Sequence, residues 1–359
     1  MKINVYVIVF CVILALIALF ALSTAVFNRN VSESNVSLSD LTYNVPAPNI
    51  QGIAGWINSP PLNLTKLHGK VVLVDFWTYS CINCIREIPH LNAWENEYGD
   101  NGLVIIGVST PEFQFEHNYS NVENAVQRFG IKYPVALDNN YSTWDAYGNE
   151  YWPAEYLIDA NGDIRYVSYG EGNYNQTEQA IRELLKNAGY SVPSYTTNVP
   201  LGVNFSGIGT PEIYFGYNEV DGHGSHFTSS DVLIPNATVN YTAKNVTLRN
   251  TVYLSGKWMD KPEYIEAVND SKIFLIYKAK NVNIVAEGNS TSEIGLFLNG
   301  TALNSSYIGS SDNIYNGNAT AMINASRLYN IVSGPSYNGW HELEISATPG
   351  FKIYTFTFG

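Results

Sequence analysis

The stretch from Val71 to Trp94 narrows the choice of folds more than any other part of the chain. Val71, Val72, Leu73, Val74, Asp75 and Phe76 make a short, almost wholly apolar, β-branched run. That is the composition of a strand covered on both faces in a parallel sheet. Helical spacing begins soon after, with Ile82, Ile85, Ile88, Leu91 and Trp94 close to one face. A buried strand feeding straight into a helix predicts an α/β domain.

The junction itself carries Cys81 and Cys84, a Cys-x-x-Cys pair. The first turn of a helix leaves N–H groups unpaired and bears a partial positive charge, so a thiolate is stabilised there. Cys81, nearest the helix start, is expected to be the exposed nucleophile. Cys84, one turn in, is placed to close a disulfide and release a mixed-disulfide partner. Zinc binding is the competing reading, but zinc takes four ligands, no second cysteine pair exists, and His68 and His90 lack ligand spacing. Neither a metal nor a cofactor is called for. Cys11, the third cysteine, lies inside an apolar run and reads as a small apolar residue.

The motif VVLVDFWTYSCINCIREIP, Val71 to Pro89, resembles the thioredoxin superfamily, specifically its TlpA/ResA-like (redoxin) branch and the thioredoxin-like part of DipZ-type cytochrome c biogenesis proteins. The resemblance covers residues of about 45 to 190 and implies a thiol–disulfide oxidoreductase. It implies that Asp75, six residues before Cys81, is a buried acid exchanging protons with Cys84. Pro89 falls where that family has its helix-kinking proline. Tyr151-Trp152-Pro153-Ala154 matches the loop with the family's cis-proline, so Trp77, Trp152 and Pro153 are expected to line a substrate groove, core packing being the alternative for either tryptophan. In Thr110 to His117, Glu112 is the positional match for a carboxylate that tunes the cysteines, with Glu116 in reserve. The chain departs from the family at Ile82-Asn83, where a proline-containing dipeptide is commonest, so the direction of electron flow stays open. Thr78-x-x-Cys81 mimics a peroxidatic motif, but Val74 stands where that family has proline.

The N-terminus bears on location. Val5 to Leu22 is unbroken apolar sequence, and Ala25 to Phe27 extend it. At about 1.5 Å per residue it can cross a bilayer core of roughly 30 Å. Residues 1–27 are therefore expected to be a signal anchor, or else a cleaved signal peptide. Sixteen Asn-x-Ser/Thr triplets occur, against about six expected by chance, and suggest surface glycosylation outside the cytoplasm. The net charge of −13 argues against nucleic acid as a partner.

The expected plan is thus an anchor (1–27), a polar tether (28–49), a thioredoxin-like domain (50–190), a linker (191–209) and an all-β domain (210–359). In the last part, Lys272 to Glu287 and Glu293 to Leu303 alternate as strands do. Leu343 to Ser346 and Phe351 to Phe358 look like a terminal hairpin around Thr348-Pro349-Gly350. A β-sandwich of jelly-roll type follows, resembling a carbohydrate-binding module, with a glycan as candidate ligand. The order of domains resembles the C-terminal half of DipZ-type proteins. The electron-transfer membrane domain those proteins also carry is missing from this sequence, so a separate membrane donor of CcdA/DsbD type is implied. Disulfide-bearing exported proteins are the expected substrates; a surface glycoprotein or glycan-binding module with an incidental redox site is the alternative.

Overall fold

The computed structural model describes residues 41, 43–200, 203, 205–220, 224–227, 233–289, 292–310 and 319–359. The expected anchor and the tether up to residue 40 lie outside the described residues. Among the described residues no helix is long and apolar enough to cross a membrane. Residues 42–359 cluster as one compact unit that holds both the α/β and the β-rich parts.

The α/β part is built on seven strands: β1 (Val45–Pro46), β2 (Gly55–Ile57), β3 (Val71–Trp77), β4 (Leu103–Ser109), β5 (Val135–Leu137), β6 (Ala154–Ile158) and β7 (Asp163–Tyr169). Their spatial order is β1-β7-β6-β3-β4-β5-β2. β3 is central, parallel to β4 and antiparallel to β6, and every one of its residues is buried. This is the environment its near-continuous apolar run requires. Val45 and Pro46 pair with Ile164 and Asp163, so the tether ends earlier than the expected Asn49. The two residues instead finish the sheet edge.

Four helices accompany the sheet: α1 (Ile82–Tyr98), α2 (Tyr119–Arg128), α3 (Ser142–Tyr147) and α4 (Tyr174–Asn187). The six residues of α3 are too few to show a helical period. Its start is held by the Asp138 carboxylate, which accepts the N–H groups of Thr143 and Trp144. The apolar stripe of α1 divides: Ile88, Leu91 and Trp94 enter the core, whereas Ile82 and Ile85 are only half buried. The linker after α4 is pinned, with Thr197 donating to Glu178 through its N–H (2.7 Å) and hydroxyl (2.9 Å).

Among the described residues of the C-terminal part, twelve strands join in one curled sheet. They are β8 (Ile213–Tyr214), β9 (Thr238–Tyr241), β10 (Val252–Asp260), β11 (Ile265–Ala267), β12 (Ser271–Tyr277), β13 (Asn281–Glu287), β14 (Glu293–Leu298), β15 (Thr301–Ala302), β16 (Thr320–Met322), β17 (Arg327–Ser333), β18 (His341–Ala347) and β19 (Lys352–Phe358). β10 turns the corner. Val252 to Ser255 pair with β12, while Gly256 onward pairs with β9 and β11. The bend falls at Gly256, whose φ is +88° and where a Cβ would strike Ser271. The curl encloses a core that includes Trp258, Tyr277, Tyr329, Phe351 and Phe356.

The last two strands are not the expected hairpin. β18 pairs with β12 and β14, whereas β19 pairs with β8, β11 and β13. The Thr348–Gly350 turn carries the chain from one side of the curl to the other. It is held there by Ala267, whose N–H reaches the Phe351 carbonyl and whose carbonyl receives the Gly350 N–H.

Gly216 is the glycine of Thr210-Pro-Glu-Ile-Tyr-Phe-Gly-Tyr, and its φ is +90°. A Cβ there would lie 2.4 Å from the Tyr264 nitrogen and 2.6 Å from the Pro262 oxygen, both backbone. Gly216→Ala is expected to destabilise the unit by about 2–3 kcal/mol, read as a lowered urea midpoint at unchanged slope. An unshifted midpoint would show that residues 261–264 yield freely.

Candidate active site

Cys81 is the N-cap of α1, and its Sγ accepts the Cys84 N–H at 3.3 Å. Helix geometry thereby puts a sulfur where an N-cap oxygen usually sits, aimed at unpaired amides. Both cysteines are free thiols, Cys81 half exposed and Cys84 buried. Burial, and next the contact with Cys81, push the Cys84 thiol well up from its ordinary value. One thiol faces solvent and its partner waits protonated behind it.

Behind Cys84 lies a group of buried carboxylates. Asp75 (1% exposed) and Glu155 (2%) are register partners across β3 and β6, so their side chains leave the same face. Glu87 (1%) joins them from α1. One oxygen of each has no hydrogen-bond partner. Thr177 donates to the other Glu155 oxygen at 3.0 Å. Among the described residues no salt bridge reaches any of the three. Burial, then the charge of Glu155, hold Asp75 well above the usual carboxylate range, and burial pushes Glu155 up to about 7. An acid that keeps its proton near neutrality can pass it to and from a thiol. Glu87 and Glu155 did not stand out in the sequence. The signal available was Glu155 two residues past Pro153, on the strand that pairs with Asp75.

The Trp152–Pro153 peptide is cis. Trp152 is half buried, donates through Nε1 to the Thr110 carbonyl at 3.2 Å, and packs on Trp144 with ring centroids 4.3 Å apart. Trp77 does not line a groove. It is 1% exposed, because it ends a strand whose every side chain is covered. Pro89 lies inside α1.

Glu112 and Glu116, the two candidates in the Thr110–His117 loop, differ in their partners. Glu116, wholly buried, accepts the Ser80 hydroxyl (2.6 Å) and the N–H groups of Glu112 (2.6 Å) and Phe113 (3.0 Å). It ties its loop to the residues just before Cys81. Glu112 keeps an edge toward solvent and accepts the hydroxyl of Tyr214 at 2.7 Å. Tyr214 belongs to β8 of the other domain and was not a sequence candidate. Its hydroxyl is close enough for Cys81 to act on it electrostatically. Around it Phe113, Val285, Leu328 and Tyr354 form a small core against which Ile82 and Ile85 pack. The cysteines therefore sit at a seam between domains.

Crowding by protein atoms, then the charge of Glu116, push Glu112 up to about 8. A carboxyl raised in the folded state supports folding fully below its unfolded value near 4.5 and loses that contribution as pH climbs through about 8. Glu112→Gln keeps an acceptor for Tyr214 and cannot ionise. Urea titrations are expected to find it level with wild type near pH 5 and increasingly the more stable toward pH 9. A pH-independent difference would mean that Glu112 keeps its ordinary acidity.

Residues 45–185 match the family model described as Redoxin, and residues 210–359 the one described as Thioredoxin like C-terminal domain. Protein DipZ of Mycobacterium bovis is 42% identical over 270 residues, which is 74% of this chain and 38% of DipZ. Thiol-disulfide oxidoreductase ResA of Halalkalibacterium halodurans is 33% identical over 125 residues, 35% of this chain and 66% of ResA. Thiol-disulfide oxidoreductase YkuV of Bacillus subtilis is 26% identical over 140 residues, 39% of this chain and 94% of YkuV. The chain thus spans little more than a third of the length of DipZ. The chain carries a redoxin domain over residues 45–185, similar to the thiol-disulfide oxidoreductases ResA and YkuV of the TlpA/ResA-like branch, followed by a thioredoxin-like C-terminal domain over residues 210–359.

Proposed function

We propose that this protein is a membrane-anchored thiol–disulfide oxidoreductase acting outside the cytoplasm, reducing or exchanging disulfides of exported proteins. The observation that carries the redox reading is the half-exposed Cys81 thiol receiving the Cys84 N–H at the start of α1, with Cys84 buried behind it. The Cys81 thiolate attacks one sulfur of the substrate disulfide, forming a mixed disulfide and expelling the first substrate thiolate. Asp75, once ionised, takes the proton of Cys84, and the Cys84 thiolate attacks the Cys81 sulfur. The second substrate thiolate leaves; the substrate has gained two electrons, and the dithiol that lost them is left as the Cys81–Cys84 disulfide. A membrane donor of CcdA/DsbD type would return them.

Location outside the cytoplasm is supported by the apolar N-terminal run and by the sequons. Of the twelve sequon asparagines among the described residues, eleven are exposed, Asn63 alone being half buried. The C-terminal domain, read as a jelly-roll of carbohydrate-binding-module type, serves here as a wall of the redox site, and a glycan is a candidate second ligand.

Cys84→Ala is expected to accumulate mixed disulfides through Cys81, visible as high-mass bands that dithiothreitol dissolves and that Cys81→Ser abolishes. Insulin reduction by either cysteine variant should fall to the buffer background; wild-type rates in both would end the enzyme reading. Asp75→Asn should slow resolution by about a hundredfold while the first attack keeps its rate. Stopped-flow traces separate the two steps.

A further inference from the structure

Resolution of the mixed disulfide needs an ionised Asp75, yet Asp75 is buried and one of its oxygens has no hydrogen-bond partner. Glu155 is its register partner on β6, and directly opposite residues of an antiparallel pair have Cβ atoms about 5 Å apart. The two carboxyls are within reach of each other, directly or through one water. Glu155 differs from Asp75 in what lies beyond it. Its second oxygen accepts the hydroxyl of Thr177 on α4 at 3.0 Å, and the Thr177 and Tyr166 hydroxyls are 3.3 Å apart. Thr177 is wholly buried, whereas Tyr166 on β7 is half exposed. A hydroxyl both gives and receives a hydrogen bond, so Tyr166 and Thr177 connect Glu155 to the surface without a break. Tyr166 stands opposite Leu157, and Leu157 opposite Leu73, two residues back along β3 from Asp75. The outer end of this connection therefore lies away from Cys81. The other ionisable groups around Glu155 are Glu87 and Cys84 of α1, Tyr133 before β5, Tyr174 of α4 and Glu171 ahead of it, the last held by Arg86 at 3.3 Å. Burial raises Asp75 and Glu87 well above the usual carboxylate range. It raises Glu155 too, but the Thr177 hydroxyl favours the charged form and leaves Glu155 at about 7.

We propose that Glu155, Thr177 and Tyr166 relay protons between Asp75 and solvent while a substrate covers Cys81. The proposal rests on the redox reading of Cys81 and Cys84 and deepens it. The three residues act on the dithiol only through Asp75, by keeping it in the ionised state that resolution requires. The Glu155 carboxylate takes the Asp75 proton. The Asp75 carboxylate then takes the proton of Cys84, whose thiolate attacks the Cys81 sulfur. Once the hydroxyls have rotated, Thr177 receives the proton held by Glu155 and passes its own to Tyr166, which passes one to water. Each hydroxyl ends neutral and Glu155 ends ionised. One proton has left the protein for each Cys81–Cys84 disulfide closed.

The test uses the full chain and a disulfide-bonded peptide in stopped-flow single turnovers, which separate formation of the mixed disulfide from its resolution. Thr177→Val and Tyr166→Phe each remove a hydroxyl and little volume. Resolution is expected to slow about tenfold in either, less than the roughly hundredfold effect of a directly acting acid or base, while the first attack keeps its rate. In wild type the resolution rate should climb with pH through about 7 as Glu155 ionises, and Glu155→Gln should lose that inflection. Were Glu155 only a charge that raises Asp75, Glu155→Gln would speed resolution and the two hydroxyl variants would match wild type. Either result overturns the relay. A second arm reads proton exchange without disulfide chemistry. In Cys81→Ser, Cys84→Ser protein, infrared spectra follow the deuterium shift of the buried carboxyl band after dilution into heavy water. A slower shift when Tyr166→Phe or Thr177→Val is added supports the relay even where no disulfide is exchanged, a result that would remove the redox reading alone. Equal shift rates with and without both hydroxyls overturn it.

Discussion

The Tyr214 hydroxyl on the Glu112 carboxylate, 2.7 Å long, joins the two domains within electrostatic reach of Cys81, and the architecture of the site depends on it. It is a polar bond set in an apolar seam. Phe113 and Tyr354 meet with ring centroids 5.2 Å apart, and Phe115 approaches Tyr354 at 4.9 Å. Burying side chains of this kind is worth about 1.5–3 kcal/mol each, so the apolar contacts supply most of the adhesion. The hydrogen bond fixes the register. Gln114 adds a second polar tie through its N–H to the Glu263 carboxylate, and Tyr79 a third to the Ser326 carbonyl. Loops that would be free to drift in an isolated α/β domain are braced by the curled sheet.

The same seam shapes the chemistry of the dithiol. Cys84, Asp75, Glu87 and Glu155 form a buried, acid-rich interior with no cation paired to it among the described residues. Removing charges from water without pairing them favours their neutral forms. The interior therefore stores protons, and the Cys84 thiolate that the cycle needs arises only when one of these carboxyls is ionised and can take the Cys84 proton. Glu116 is buried too, yet it satisfies both oxygens with local donors and acts as a brace. Equal burial leads to different roles because hydrogen-bond supply differs.

Much of the first domain was legible in the sequence. β3, β4, α1 and the β6–β7 hairpin follow from continuous apolar runs, from helical spacing and from Asn161-Gly162, all local signals. The Cys81–Cys84 pair and Asp75 are legible because the motif is contiguous. What was not legible depends on distance along the chain. Glu155 meets Asp75 only through strand pairing, and Tyr214 meets Glu112 only through domain docking. Trp77 reads as a groove residue beside the cysteines, but strand alternation and covering helices put it in the core. In the β domain the alternation gave strands yet not partners, so β18 and β19 looked like neighbours in a hairpin. Pairing in a curled sheet is decided by where β10 bends, and a single glycine carries that information.

Charge around the cysteines is sorted by side. Glu112, Glu116 and Glu212 gather where β8 meets the Thr110–His117 loop, while Arg86, Arg128, Lys280 and Arg327 gather along α1 and the β13–β17 edge. Ile82 and Ile85 separate the two, packed against Val285 and Leu328. Neither domain alone provides this polarity, since the cations come from both. The C-terminal domain thereby contributes half of the basic surface beside the dithiol, through Lys280 and Arg327.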